Sequence, residues 1–375
     1  MPPRGKKRKV GSTEQETGPE HAEKNKAKQV EEEEKVARNT TGLLSLPVEI
    51  FEQIYEGLLS TSRLITKEQV LENKPHLSEE FVYRTDVLWS LTRTCHALRV
   101  SCLPRYYEHV EACVVRGPRV WYKQLAERLE RTSWLLVECP HLARHVQTVT
   151  VSLTRCSTGT VLPAFAACLK ALPNLHTLQI MHAHSQMTTA LKDAFEYVSL
   201  PQIRTLILPT CAHNILRACP NIVDLTCNEG DGSQLISAMA KASPNVEVVR
   251  EIRLWSEASS KRLAKAAPKL RELYVYSVDK IGPFMQSKTL SKICITRGVE
   301  SRRGEDVRLG IEATSKAMSA ELDEAKRILA SSMVKSDKCL EVVFTARDFE
   351  REARLRQYSS ERFYKVVKTL TFSVP

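Results

Sequence analysis

From residue 140 onward one pattern recurs, apolar-x-x-apolar-x-apolar, and it restricts the fold more than any other feature of the chain. Its copies are Val146, Val149, Val151; Leu175, Leu178, Ile180; Ile203, Leu206, Leu208; Ile222, Leu225, Cys227; Val249, Ile252, Leu254; Leu270, Leu273, Val275; and Leu290, Ile293, Ile295. Their starts lie 29, 28, 19, 27, 21 and 20 residues apart. Four copies share a Pro-led approach, in "ALPNLHTLQI", "SLPQIRTLIL", "ACPNIVDLTC" and "AAPKLRELYV". A Pro at that place cannot continue a preceding helix. The segments between copies, such as "TALKDAFEYV", "LISAMAKA" and "SSKRLAKAA", fit helices. Each unit therefore reads as helix, turn and short strand. One unit cannot bury its own apolar face, whereas stacked units can. The expected fold class is an α/β solenoid whose strands turn alternate residues inward and to solvent.

The strand pattern resembles that of leucine-rich-repeat proteins, with the family's repeat Asn matched only at Asn228. The resemblance implies a horseshoe of short parallel strands and helices over residues 116–375. After Ile295 the pattern lapses. "EATSKAMSAELDEAKRILASSM" has helical spacing, "LEVVFT" and "VVKTLTF" read as strands, and Val367, Leu370 and Phe372 restore the repeat. Residues 297–375 are expected to form an enlarged repeat with a terminal capping strand, and the basic loop "TRGVESRRGEDVR" to be mobile.

Residues 1–40 are unlike the rest. They hold ten Lys and Arg against eight Glu, a net +2 of the chain's +11, and almost no apolar residues. Dense charge without hydrophobicity cannot offset ordering entropy, so this tail is expected to be disordered. Its cluster Lys6, Lys7, Arg8 and Lys9 resembles a nuclear import signal, which implies a nuclear protein with the cytoplasm as a second location. The remaining positive charge is spread among acids rather than gathered on one face, so no nucleic-acid partner is expected. No apolar run approaches the ~20 residues of a membrane span, and no signal-peptide pattern opens the sequence. Eleven cysteines without CxxC pairs read as small buried residues in a reducing compartment. Only 13 glycines and no nucleotide, hydrolase or zinc motif are present, so neither a cofactor nor catalysis is expected. His182 and His184 in "MHAHSQ" have no acid or thiol at ligand spacing in the sequence.

A helical module occupies residues 41–115. In "LPVEIFEQIYEGLL" Pro47 suits a first helical turn, and Ile50, Ile54 and Leu58 make one apolar face widened by Phe51. "TDVLWSLTRTCHALRVSCLP" is expected to be one second helix, capped by Asp86, with a stripe of Leu88, Leu91, Cys95, Leu98 and Cys102, and broken by Pro104. Such short helices bury little among themselves, so a partner or the next domain must cover them. The Leu-Pro start, the acidic Glu49 two places on, the apolar stripe and the run from Leu91 to Arg99 together resemble the F-box. The link "LPRYYEHV" is similar to the family's passage into leucine-rich repeats. The stretch at residues 60–85 is longer than that family needs, and is expected to loop out or to form an extra helix.

F-box proteins are non-catalytic substrate receptors of SCF-type cullin–RING ubiquitin ligases. The resemblance implies that a Skp-type adaptor, and through it a cullin scaffold, docks on Leu46, Pro47, Ile50, Phe51, Ile54, Leu88, Leu91, Cys95 and Leu98. Some of these must instead pack helix on helix. The repeat domain would recruit a protein substrate. Its early strands present bland residues, whereas "REIRLW" offers Arg253 and Trp255 and "RELYVY" offers Tyr274 and Tyr276, residue types enriched at binding hot spots. The alternative is a leucine-rich scaffold that works without the ligase.

Overall fold

The computed structural model describes residues 47–60, 65, 76–77, 79–115, 121–299, 307–334, 338–348 and 364–374. The charged tail, the basic cluster Lys6–Lys9, Leu46 and residues 300–306 of the basic loop lie outside the described residues. Two units are distinguished, one ending at Thr61 and one spanning Ser62–Pro375. The first contributes a single described helix, α1 (Val48–Ser60), with Ile50 and Ile54 exposed on it and Pro47 exposed just before it.

The second unit begins with α2 (Tyr83–Thr92) and α3 (His96–Glu108), followed by β1 (His109–Ala112). The single helix expected over residues 85–104 is thus two helices, with a break at Arg93–Cys95. Asp86 lies within the first turn of α2 rather than at its cap. Pro104 is carried inside α3, at the cost of the one hydrogen bond its nitrogen cannot donate.

Next come α4 (Trp121–Glu138), α5 (Pro140–Ala143), β2 (Thr148–Leu153), α6 (Thr158–Lys170), β3 (Thr177–Ala183), α7 (Thr188–Phe195), β4 (Thr205–Leu208), α8 (His213–Arg217) and β5 (Asp224–Cys227). They are followed by α9 (Ser233–Ala242), β6 (Val248–Arg250), α10 (Glu257–Ala266), β7 (Glu272–Val275) and β8 (Lys292–Val299). The unit closes with α11 (Val307–Ala317), α12 (Ser319–Ser331), β9 (Lys338–Arg347) and β10 (Tyr364–Val374). The strands form one ten-stranded sheet in chain order. Every neighbouring pair from β1 to β9 is parallel; β10 alone runs antiparallel, in a hairpin with β9. This pairing places Leu370 and Phe372 beside Val342 and Leu340, so the restored pattern near the C-terminus lies on the terminal strand of the sheet.

Alternation divides the two faces of the sheet. Leu178, Leu206, Leu225, Leu273 and Ile293 point to the helix-covered side and join Leu129, Phe165, Leu216 and Leu263 of the helices in one continuous core. The Pro-led turns tie successive units together. Asn174 Nδ2 donates to the Arg144 carbonyl at 2.6 Å, Asn221 Nδ2 to the Pro201 carbonyl at 2.9 Å, and Gln202 Nε2 to the Leu169 carbonyl at 2.9 Å.

One repeat is framed differently from the sequence pattern. Register aligns Val249 with Leu225 and with Leu273, so the first core residue of this copy is Val246, and Val249 is its second. The strand ends at Arg250 because Glu251 takes a left-handed backbone, φ 61°. Ile252, not Glu251, then returns to the core, where it is buried. The overlapping V-x-x-I-x-L spelling had hidden the frame. Pro244, two residues before Val246, stands where Pro220 and Pro268 stand before Ile222 and Leu270.

Asn228 fills a gap in the ladder. Strand β4 pairs with β3 only as far as Gln179, so the carbonyls of Ile180 and Met181 have no β4 partner. The buried Asn228 amide donates to both, at 3.0 and 2.9 Å. Asn228→Ala should therefore lower the unfolding free energy by about 1–3 kcal/mol, read as a lower urea midpoint at unchanged slope.

Candidate partner-binding site

The outward rows of the sheet start bland and buried, and end charged and open. Across β2, β3, β4 and β5, Thr150, Gln179, Ile207 and Thr226 occupy matching outward positions, and all are buried. Part of the covering comes from the long link between the helices. Leu77, Phe81 and Val82, with Ile65 at their side, pack with Cys113, Met181 and Ile207 into a second apolar cluster. Met181 and Ile207 alternate with core residues and so lie on the face away from the helices. Leu77 is also built into the sheet margin. Its N–H donates to the Cys113 carbonyl at 2.9 Å, and its carbonyl accepts from the Val115 N–H at 3.1 Å. Within the 60–85 segment, residues 61–64, 66–75 and 78 lie outside the described residues, while Glu79–Val82 form a short 3-10 helix and Tyr83–Thr85 open α2. Leu77, Phe81 and Val82 lie against Met181 and Ile207 on the outer face of the early strands and help to cover that area.

Beyond β5 the same face carries a ladder of charge. Arg250 forks onto Asp224, with Nη1 at 2.8 Å from Oδ1 and 2.7 Å from Oδ2, and its guanidinium lies 4.3 Å from the centre of the Tyr274 ring. The Tyr274 hydroxyl donates to Glu272 at 2.9 Å. Lys292 sits 5.6 Å from the same ring on the other side, and pairs with Glu341 of β9 at 2.5 Å. Burial alone would lower the Lys292 pKa, but the Glu341 hydrogen bond and the Tyr274 hydroxyl reverse this and hold it above its ordinary value. Burial raises the Tyr274 phenol, with Arg250 pulling the other way. Between them Cys294 is a buried thiol, pushed up to about 12 by burial first and by Glu341 second. Alternating charges locked on a half-exposed aromatic make a rigid, sign-patterned surface suited to a partner with complementary charges.

The four residues singled out in "REIRLW" and "RELYVY" fall at different places in the fold. Tyr274 lies within the ladder. Tyr276 follows just past the end of β7, exposed, with its hydroxyl bonded to Glu251. Arg253 and Trp255 lie in the turn between β6 and α10, not on a strand, because β6 stops at Arg250. There the Arg253 guanidinium is 5.8 Å from the Trp255 ring, and Trp255 is 70% exposed beside a cavity lined by Ser256, Glu257, Asp279 and Lys280. The arginine that does meet Tyr274 is Arg250. The spacing from Pro244 would have placed it on the outer face.

The nine residues assigned to adaptor docking divide as well. Ile50 and Ile54 are exposed at 41% and 39%, and Pro47 is exposed. Leu88 and Leu98 are buried within the second unit, which assigns them to packing, while Leu91 and Cys95 are half-buried. Leu46 and the Phe51 side chain lie outside what is described. Two exposed apolar residues of this region were missed, Trp89 and Val100, because they fall off the stripe of Leu88, Leu91 and Leu98. His182, without a ligand-spaced neighbour in sequence, meets Glu229 at 3.1 Å.

Comparison with protein-family models finds no match to this chain, and comparison with curated proteins finds none similar enough to count as a relative.

Proposed function

We propose that this chain is the substrate-recognition subunit of an SCF-type cullin–RING ubiquitin ligase. In this reading it is an F-box-like module followed by a leucine-rich-repeat-like horseshoe, and it contributes binding rather than chemistry. The observation that carries it is the long sheet laid in chain order, helices on one face and a charged, half-open surface over β5–β9 on the other. That is how stacked repeats present a concave surface to a protein partner. Exposed Ile50 and Ile54 on α1 supply apolar positions for a Skp-type adaptor, each contributing roughly 1.5–3 kcal/mol if fully covered. The basic cluster Lys6, Lys7, Arg8 and Lys9 supports a nuclear site of action.

The test is co-purification. Wild-type chain is expected to recover a Skp-type adaptor, and Ile50→Asp with Ile54→Asp is expected to lose it while the melting temperature stays unchanged. A wild-type chain that recovers no adaptor rejects the ligase reading. The scaffold alternative is favoured by one observation: α2 and α3 belong to the same unit as the sheet, as a terminal cap would. It predicts bound partners whose half-lives do not change when the protein is depleted.

A further inference from the structure

Glu111 is the outward residue of β1, opposite Thr150 of β2, and only 9% of it is exposed. A carboxyl buried so far is expected to be paired or well hydrogen-bonded. Among the described residues this one accepts a single long hydrogen bond, from the Thr85 hydroxyl at 3.4 Å. Two guanidiniums act on it, Arg84 of α2 and Arg128 of α4, and neither comes within ion-pair distance among the described residues. The Arg84 guanidinium instead donates to the Arg105 carbonyl at 3.5 Å.

Beside Glu111 lies a cavity of 530 Å³ that opens to solvent between α2, α3 and α4. Thr85 and Arg128 line it and are also neighbours of Glu111. Trp89 and Tyr106, with rings 5.5 Å apart, form an aromatic wall. Arg131 lines the cavity too, held by Glu127 at 3.2 Å, and Asp86 is the one acid among the lining residues. The volume falls in the range that holds a small ligand or the side chains of a short peptide.

We propose that this cavity binds a carboxylate side chain from an acidic segment of a protein partner, and that binding is coupled to a proton held on Glu111. A guanidinium takes a carboxylate through two parallel hydrogen bonds, and the aromatic wall covers the apolar stem of the acidic side chain. Burial pushes the Glu111 pKa up to about 7, against the pull of Arg84, Arg128 and the Thr85 hydroxyl. Neutral Glu111 leaves Arg128 to the ligand; ionised Glu111 competes for it and repels the ligand. The other groups near Glu111 do not supply this switch. Burial first and Glu111 second raise Cys113, and burial first and Arg84 second lower His109 against the pull of Glu108, which favours the neutral form of each. One coupled proton limits the loss of affinity to about tenfold per pH unit.

The inference goes beyond the receptor reading and does not depend on it, since an acidic peptide can bind whether or not an adaptor co-purifies. The experiment is fluorescence anisotropy of the full chain with a labelled hexaglutamate peptide at pH 6, 7 and 8. Wild-type binding is expected to weaken at least about fivefold from pH 6 to 8, and Glu111→Gln to bind with no pH dependence. Arg128→Gln is expected to lose about tenfold at pH 6. If that variant does not fold, Trp89→Ala, at an exposed position, carries the same test with an expected loss of a few fold. Wild-type binding that ignores pH, or Arg128→Gln and Trp89→Ala that bind as wild type does, overturns the proposal. Displacement of the peptide by millimolar inorganic phosphate but not by millimolar acetate also overturns it, in favour of a phosphate site.

Discussion

Phe165→Ala should lower the unfolding free energy by about 3–5 kcal/mol, a large share of the total for a marginally stable chain. Phe165 lies on α6, 1% exposed, with its ring edge-to-face against Phe195 of α7 at 6.3 Å. It fills the space between one helix and the next over β3, where Leu178 and Ile180 are fully buried. Truncation leaves a void whose walls belong to three different elements, so collapse around it is limited and the cavity term adds to the lost transfer energy. Urea denaturation measures this directly. Tyr197→Ala, at a position 90% exposed, should stay within about 0.5 kcal/mol of wild type. A loss below about 1.5 kcal/mol for Phe165→Ala would contradict the described packing of α6 on α7.

Glu111→Gln is expected to act in the opposite direction, with a gain that grows from about pH 4.5 and is complete above about pH 7. Below the ordinary carboxylate value of 4.5 the residue is protonated in both folded and unfolded chains and costs nothing in charge burial. From 4.5 up to about 7 the folded chain keeps a proton that the unfolded chain has released, so stability falls as pH rises. Above about 7 the whole penalty is present, and a difference of that size converts to about 3 kcal/mol. Gln keeps the shape and carries no charge, so the variant should be more stable than wild type by roughly that amount at pH 8, with the gain vanishing by pH 4. Urea midpoints of both proteins across this range decide the matter. Equal midpoints at pH 8 would mean that Arg84 and Arg128 already neutralise the ionised carboxyl.

Local spelling carried much of the architecture. Leu178, Leu206, Leu225 and Leu273 were legible as inward strand residues because strand alternation is a local property. The Pro-led turns were legible because Pro excludes helix wherever it stands. The frame of the Val246–Ile252 copy was not, since two overlapping apolar triplets fit the same residues and only pairing with β5 and β7 chooses between them. That choice decides the candidate site, because it puts Arg250 rather than Arg253 beside Tyr274. The stripe on the second predicted helix was read correctly as apolar, but periodicity cannot say whether such a stripe meets a partner or the chain's own core. Burial of Leu88 and Leu98 answers for those two.

The sequence by itself determined that strands and helices alternate, where most strands begin, and that the chain opens with charge and then a Leu-Pro-led helix. All of these follow from chemistry within a dozen neighbouring residues. Only the tertiary structure decided that Leu77, Phe81 and Val82 lie across the outer face of the early strands, and that Glu111 is buried beside Arg128 and a cavity. Those contacts join residues far apart in the chain. Their energies depend on what surrounds each group, and that is set only once the sheet has formed.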